Sequence, residues 1–135
     1  MSRYLADTSG LYALLNRQEP LHTLATRFYR SLPRRSEVVV IEYVLIETMT
    51  LCRARGYSAL AVRFREALGV SDIFSLRFSS PEHEALTYRV FRDFADKEWS
   101  YVDCGIYAAA QTLGTDAVFS FDHHISQMGL MQLPS

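Results

Sequence analysis

The sequence predicts an α/β fold in which a mainly parallel sheet of four to five strands is flanked by helices on both faces. Three observations carry this. Short extended segments alternate with stripes of helical spacing along the whole chain, which implies right-handed crossovers between parallel strands. The run Val38-Val39-Val40-Ile41 is β-branched without interruption, as a strand covered on both faces requires. A chain of 135 residues with 49% apolar content supplies one hydrophobic core, so residues 1–135 read as a single domain without repeat or linker.

Each element follows from local chemistry. Residues 3–6 form a short strand closing on Asp7, and Ser9 opens a helix with Leu11, Leu14 and Leu15 on one side. Pro20 starts the next helix, whose stripe of Leu21, Leu24, Ala25, Phe28 and Leu32 reads as core and which Pro33 ends. Residues 37–41 are the second strand, followed by a helix to about Arg55 that Gly56 caps. Tyr57, Leu60, Ala61, Phe64 and Leu68 mark another amphipathic helix ending at Gly69, and residues 73–78 are the third strand. Ser80-Pro81 supplies an N-cap and a first-turn proline for a helix to about Asp96, with Glu82 and Glu84 complementing its dipole. A helix over 100–113 follows, then a fourth strand over 117–121 and a short fifth over 130–133.

Composition excludes several classes. The longest charge-free apolar stretch, from Cys104 to Thr115, is well short of the roughly 20 residues of a membrane-spanning helix. The N-terminal apolar run meets Asp7 too early to be the h-region of a signal peptide, so a cytoplasmic protein is expected. Cys52 and Cys104 are then expected as reduced, buried thiols. A net charge of -1 argues against a globally basic nucleic-acid binder, yet all the cations but Lys97 are arginines. That bias fits bidentate phosphate contacts and equally fits a GC-rich genome. Residues 27–65 are arginine-rich and residues 93–122 acidic, so the molecule is electrically two-sided.

In an open α/β sheet ligands bind outside the carboxyl ends of the strands, which directs attention to the residues that follow strands. Asp7 ends the first strand and Asp122 the fourth. Asp103 lies three residues after Ser100 in a capping-box pattern, in the first turn of a helix that starts at the same edge; alone it would read as a helix-dipole carboxylate. Glu47 sits in the apolar stripe Val40, Val44, Glu47, Leu51, where an unpaired carboxylate is costly. Either a cation such as Arg53 pairs with it or a divalent metal gathers it with the other acids. Glu42 is about 140° round the helix from Glu47 and is explained by the dipole. Asp116 reads as a turn residue at the opposite end of the fourth strand. Clustered carboxylates with few nitrogen or sulfur ligands suit Mg²⁺ or Mn²⁺, which serve phosphoryl chemistry without a serine, cysteine or histidine nucleophile.

The chain resembles the PIN-domain nucleases, in particular the VapC-like toxins of type II toxin-antitoxin modules. The resemblance covers nearly the whole chain and rests on Asp7-Thr8-Ser9, the helix Tyr43-Val44-Leu45-Ile46-Glu47-Thr48, the turn Ser100-Tyr101-Val102-Asp103-Cys104, and Phe119-Ser120-Phe121-Asp122-His123-His124. It implies a PIN-like domain acting as a metal-dependent ribonuclease, with Asp7, Glu47, Asp103 and Asp122 catalytic. Asp7, Asp103 and Asp122 would hold Mg²⁺ or Mn²⁺, and Ser9 would order the site. It further implies a homodimer, an RNA substrate, and a small cognate antitoxin whose tail covers the acidic pocket, with Tyr12 and Phe28 as candidates for its groove. The sequence departs from the family at Ile125, where an aromatic is common.

Around this set, the acid-free stretch 52–65 offers Arg53, Arg55, Arg63 and Arg65 as contacts to RNA phosphates, or as a solvated helix face. His124 is a further candidate for touching RNA. Zinc held by His123, His124 and Cys104 is disfavoured, because adjacent histidines usually point apart and zinc spacings are absent. Trp99 and Tyr101 flank the acidic turn and either stack on bases or pack over the helix terminus. His22 and His83 read as surface residues. A haloacid-dehalogenase-type phosphatase would need an acid where Ser9 stands. The rivals that remain are a PIN-type RNase of RNA processing or decay without an antitoxin, and a non-catalytic PIN-like binding module.

Overall fold

The computed structural model describes residues 2–115 and 117–135, so the reading of Asp116 as a turn residue lies outside the described residues. Strands β1 (Arg3–Ala6), β2 (Glu37–Ile41), β3 (Phe74–Arg77), β4 (Ala117–Phe119) and β5 (Met131–Leu133) form one sheet in the order β3-β2-β1-β4-β5. Every pairing is parallel. The helices are α1 (Thr8–Leu15), α2 (His22–Ser31), α3 (Glu42–Ala54), α4 (Ser58–Leu68), α5 (Pro81–Asp93) and α6 (Tyr101–Leu113), with a 3₁₀ turn at Ile125–Met128. Right-handed crossovers step from β1 to β2 to β3 in one direction and then back past β1 to β4. The first four helices therefore cover one face and α5 and α6 the other.

That reversal makes the boundary between β1 and β4 the topological switch point, where an open α/β sheet leaves a crevice outside its strand ends. The sheet interior is dry: Leu5, Val38, Val39, Val40 and Val118 are fully buried, each contributing about 1.5–3 kcal/mol relative to exposure. Helix α1 lies close against β4 because residue 10 is glycine. A Cβ there would stand 2.5 Å from the Phe119 carbonyl oxygen. Among the described residues no helix is long and apolar enough to cross a membrane. Cys52 and Cys104 are buried free thiols, and burial pushes the Cys104 thiol up to about 11.

Several boundaries differ from the sequence reading. Helix α2 starts at His22 rather than Pro20, because Asn16 holds residues 17–21 in turns: its Oδ1 accepts the Gln18 N–H and its carbonyl the Glu19 N–H. Leu21 and Leu24, read as core, are exposed. Conversely Tyr12 and Phe28, offered as groove aromatics, are buried; Phe28 stacks on Phe119. His22 and His83 are half-buried rather than surface residues, with ring nitrogens on the carbonyls of Ala13 and Gly105. Helix α5 ends at Asp93, where Phe94 turns to pack on Trp99 and Tyr107. Strand β4 ends at Phe119: the Ser120 N–H still donates to the Leu133 carbonyl, but the two amides after it are taken by hydroxyls, Phe121 N–H by Ser9 Oγ and Asp122 N–H by Ser120 Oγ. Ile125 is fully buried in the core, so an aliphatic side chain fills that position.

Candidate active site

Asp7 leaves β1 in extended conformation and becomes the N-cap of α1, its Oδ1 accepting the Thr8 N–H at 2.7 Å. Its Oδ2 accepts the Ser120 hydroxyl at 2.7 Å and lies 3.3 Å from Ser9 Oγ. The carboxyl is only 3% exposed. Burial raises its pKa to about 6, against the opposing effect of the Ser120 and Thr8 hydrogen bonds, and the charges of Asp103 and Asp122 push the same way as burial.

Ser120 is the hub of the arrangement. Fully buried, its hydroxyl donates to Asp7 and accepts the Asp122 N–H at 2.9 Å, and it lies 3.2 Å from Ser9 Oγ. From β5, Gln132 Nε2 donates to the carbonyls of both Ser120 and Asp122, fixing the loop after β4. Neither Ser120 nor Gln132 was singled out in the sequence. The signal available was that each is the lone polar residue in its otherwise apolar strand segment.

Asp103 approaches from α6 through the capping box, its Oδ2 accepting the Ser100 N–H while Ser100 Oγ accepts the Asp103 N–H, both at 3.0 Å. The same Oδ2 lies 3.2 Å from His124 Nδ1, and Asp122 Oδ1 accepts the His124 N–H at 2.9 Å. His124 thus links two of the acids. Asp7, Asp103 and Asp122 are brought within electrostatic reach of one another at the switch point.

Glu47 is half-buried on α3, and among the described residues no hydrogen bond or ion pair ties it to these three or neutralises it. Arg53, the cation proposed to pair with it, donates instead to Ser58 Oγ. Glu42 accepts the Ser79 N–H, so a specific bond adds to the dipole explanation.

The arginines separate in space. Arg55 lines a cavity together with Ser9 and Phe121, Arg53 faces a different cavity between α3 and α4, and Arg63 a third beside Leu14 and Leu15. Arg65 is exposed on α4. Trp99 is buried, packs on Phe94 and Tyr107 and donates to Gln127, which settles it as a packing residue. The Tyr101 hydroxyl donates to Glu84. The expectation that His123 and His124 point apart is not met. Both Nδ1 atoms face Asp122 Oδ1, at 3.7 and 3.5 Å, and with Asp122 they form a group whose ligand atoms all lie within 4.8 Å. Cys104 is not part of that group.

The group of Asp122, His123 and His124 offers one carboxylate and two imidazoles to a divalent cation, with Asp7 and Asp103 adding carboxylates nearby; among the described residues Asp103 Oδ1 and Asp122 Oδ2 accept no hydrogen bond. A cation there would offset both the burial that chiefly raises the Asp7 carboxyl and the smaller repulsion from Asp103 and Asp122.

Comparison with known proteins agrees with this fold. The family profile described as PIN domain matches residues 4–130. The chain is 28% identical over 132 residues to the 23S rRNA-specific endonuclease VapC20 of Mycobacterium tuberculosis, in strains CDC 1551 / Oshkosh and ATCC 25618 / H37Rv. The alignment covers 94% of this chain and 95% of the relative. The crystal structure of Mycobacterium tuberculosis VapC20, described as a Sarcin-Ricin loop cleaving toxin, superposes with a TM-score of 0.87 at 27% identity. It covers 96% of this chain and 97% of that one.

Proposed function

The chain belongs to the PIN-domain family, and from that premise we propose that it is a metal-dependent ribonuclease, the toxin of a toxin-antitoxin pair. The observation that carries the chemistry is the meeting of Asp7, Asp103 and Asp122 at one sheet edge, with one of them buried enough to resist ionisation. PIN nucleases are generally metal-dependent, and in this chain Asp7, Asp103 and Asp122 would hold Mg²⁺ or Mn²⁺. When bound, such an ion would supply polarisation of the phosphodiester and a lowered pKa for the attacking water. The remaining work falls to the chain. Ser120 and Ser9 keep Asp7 pointed at the site, the capping box fixes Asp103, and Gln132 fixes the loop that presents Asp122. Glu47 completes the acid set on this reading.

The similarity to VapC20 supports an RNA substrate of the ribosomal kind and, with it, action in the cytoplasm. Arg53, Arg55, Arg63, Arg65 and His124 are proposed RNA contacts. The exposed Ile46 on α3 and Tyr88 and Phe91 on α5 support a homodimer. The apolar cavity among Leu14, Tyr29, Phe64 and Phe74 supports seating of an antitoxin segment. The test is incubation of the purified chain with ribosomal RNA, with Mg²⁺ or with a chelator. Discrete cleavage only with metal, and without 2′,3′-cyclic phosphate ends, is expected because the attacking group is water rather than the ribose hydroxyl. Cyclic ends, or cleavage indifferent to the chelator, contradict it.

A further inference from the structure

We propose that the cavity between α1, α3 and the turn over 17–21 is a guanine-binding subsite, holding one base of the RNA beside the acid site; it rests on the ribonuclease reading. The cavity measures about 280 Å³, at the small end of ligand pockets and suited to a base rather than a whole nucleotide. Pro20, Leu21, Leu51 and Phe121 give it apolar walls. Leu21, a large apolar side chain left 40% exposed, gains cover when a ring enters.

Two opposite charges line this apolar site. Arg55 lies with its Cζ 5.0 Å from the centroid of the Tyr12 ring, and its Nη1 is 3.6 Å from Glu19 Oε1. They form an ion pair at a separation longer than a hydrogen bond, so guanidinium N–H groups and carboxylate lone pairs remain available to a ligand. The guanidinium and the Glu19 backbone are held in place. The Tyr12 ring supports the guanidinium, the Tyr12 hydroxyl accepts from Asn16 Nδ2, and the same Asn16 accepts the Glu19 N–H on its carbonyl.

The pairing selects the base. Guanine alone presents two adjacent donors, N1–H and the N2 amino group, beside an acceptor, O6. A carboxylate next to a guanidinium matches that edge: Glu19 accepts from N1 and N2, and Arg55 donates to O6. Adenine and cytosine set one donor group beside an acceptor, and uracil sets one N–H between two carbonyls, so each leaves a charged group unpaired. The position relates the base to the chemistry. Ser9 lines the cavity while its hydroxyl contacts Asp7 and accepts the Phe121 N–H, and Phe121 directly precedes Asp122.

The experiment has a cleavage arm and a binding arm. Short single-stranded RNAs bearing one guanosine, inosine or adenosine among uridines are cleaved with Mg²⁺ by the full chain and by Glu19→Gln. Free guanosine, inosine and adenosine are titrated into both proteins in Mg²⁺-free buffer and followed by ligand-observed NMR. Inosine lacks only the N2 amino group, so wild type is expected to cleave the guanosine RNA roughly ten-fold faster than the inosine RNA. It is expected to bind guanosine more tightly, and Glu19→Gln to lose both differences. Cleavage without discrimination among the bases, or discrimination that survives in Glu19→Gln, overturns the subsite and leaves the nuclease reading standing. Selective guanosine binding by a chain that cleaves no RNA supports the subsite and contradicts the nuclease reading.

Discussion

The Ser120 hydroxyl donates a 2.7 Å hydrogen bond to Asp7 Oδ2 from a position with no solvent exposure, joining the end of β4 to the end of β1. One buried hydroxyl therefore orients one acid of the site directly and, through the Asp122 N–H, the loop that carries another.

Removing that hydroxyl has a defined consequence. Ser120→Ala leaves the Asp7 carboxylate and the Asp122 amide each short of a partner, a loss of about 1–3 kcal/mol. The Asp7 pKa, which the Ser120 bond lowers, rises further. Chemical denaturation and the pH dependence of cleavage read both effects; an unchanged pH profile would show that Ser120 does not orient the acid.

The raised Asp7 carboxyl makes the metal-free protein pH-sensitive. Its folded value, about 6, lies above its ordinary value of 3.8, so between these values the folded state binds more protons than the unfolded state. Stability contributed by protonated Asp7 is present at low pH and is lost as pH rises through about 6, by up to about 3 kcal/mol. In urea unfolding with a chelator, wild type should lose stability between pH 4 and 7. Asp7→Asn should lack that component, so its stability should fall less than that of wild type over the same range. Added Mg²⁺ should stabilise wild type at pH 7 more than the variant.

Gly10 tests how closely α1 must approach β4. Alanine gains about 1 kcal/mol in helix propensity, but its Cβ would meet the Phe119 carbonyl at 2.5 Å, and displacing packed backbone costs about 1–3 kcal/mol. Gly10→Ala is therefore expected to destabilise the fold on thermal melting and to lower cleavage further by moving Asp7 and Ser9. A melting temperature at or above wild type would contradict this packing argument.

Arg63 and Arg65 are exposed on α4, and among the described residues neither forms an ion pair. If both touch phosphates of a single strand, Arg63→Ala/Arg65→Ala flattens the slope of log affinity against log salt by roughly 1.4. An unchanged slope assigns them to a solvated helix face.

The sequence made the fold and the principal acids legible for a physical reason. Asp7 and Asp122 follow strand segments, and the spacing from Ser100 to Asp103 specifies a cap geometry, so backbone rules alone place all three at one edge. Ser120 was not legible because the apolar run 117–121 reads as continuous strand. Only the folded chain shows side-chain hydroxyls replacing sheet partners after Ser120. The burial of Phe28 and the exposure of Leu21 and Leu24 depend on how the turn at Asn16 sets α2, and that of Tyr12 on its packing against Cys52 and Ala61, tertiary outcomes that helical spacing does not encode. Glu47 was visible as a carboxylate in an apolar stripe, and the loss of Arg53 to Ser58 removes its expected structural partner.

The most direct test of the central claim is cleavage of single-stranded RNA by purified Asp103→Asn, with Mg²⁺ or Mn²⁺ and with the fold checked by circular dichroism. The capping position retains an oxygen able to accept the Ser100 N–H, so the variant should fold as wild type does. Loss of activity by roughly a hundred-fold or more is the expected result if this carboxylate serves the metal-assisted step. Wild-type activity in the folded variant would contradict the account.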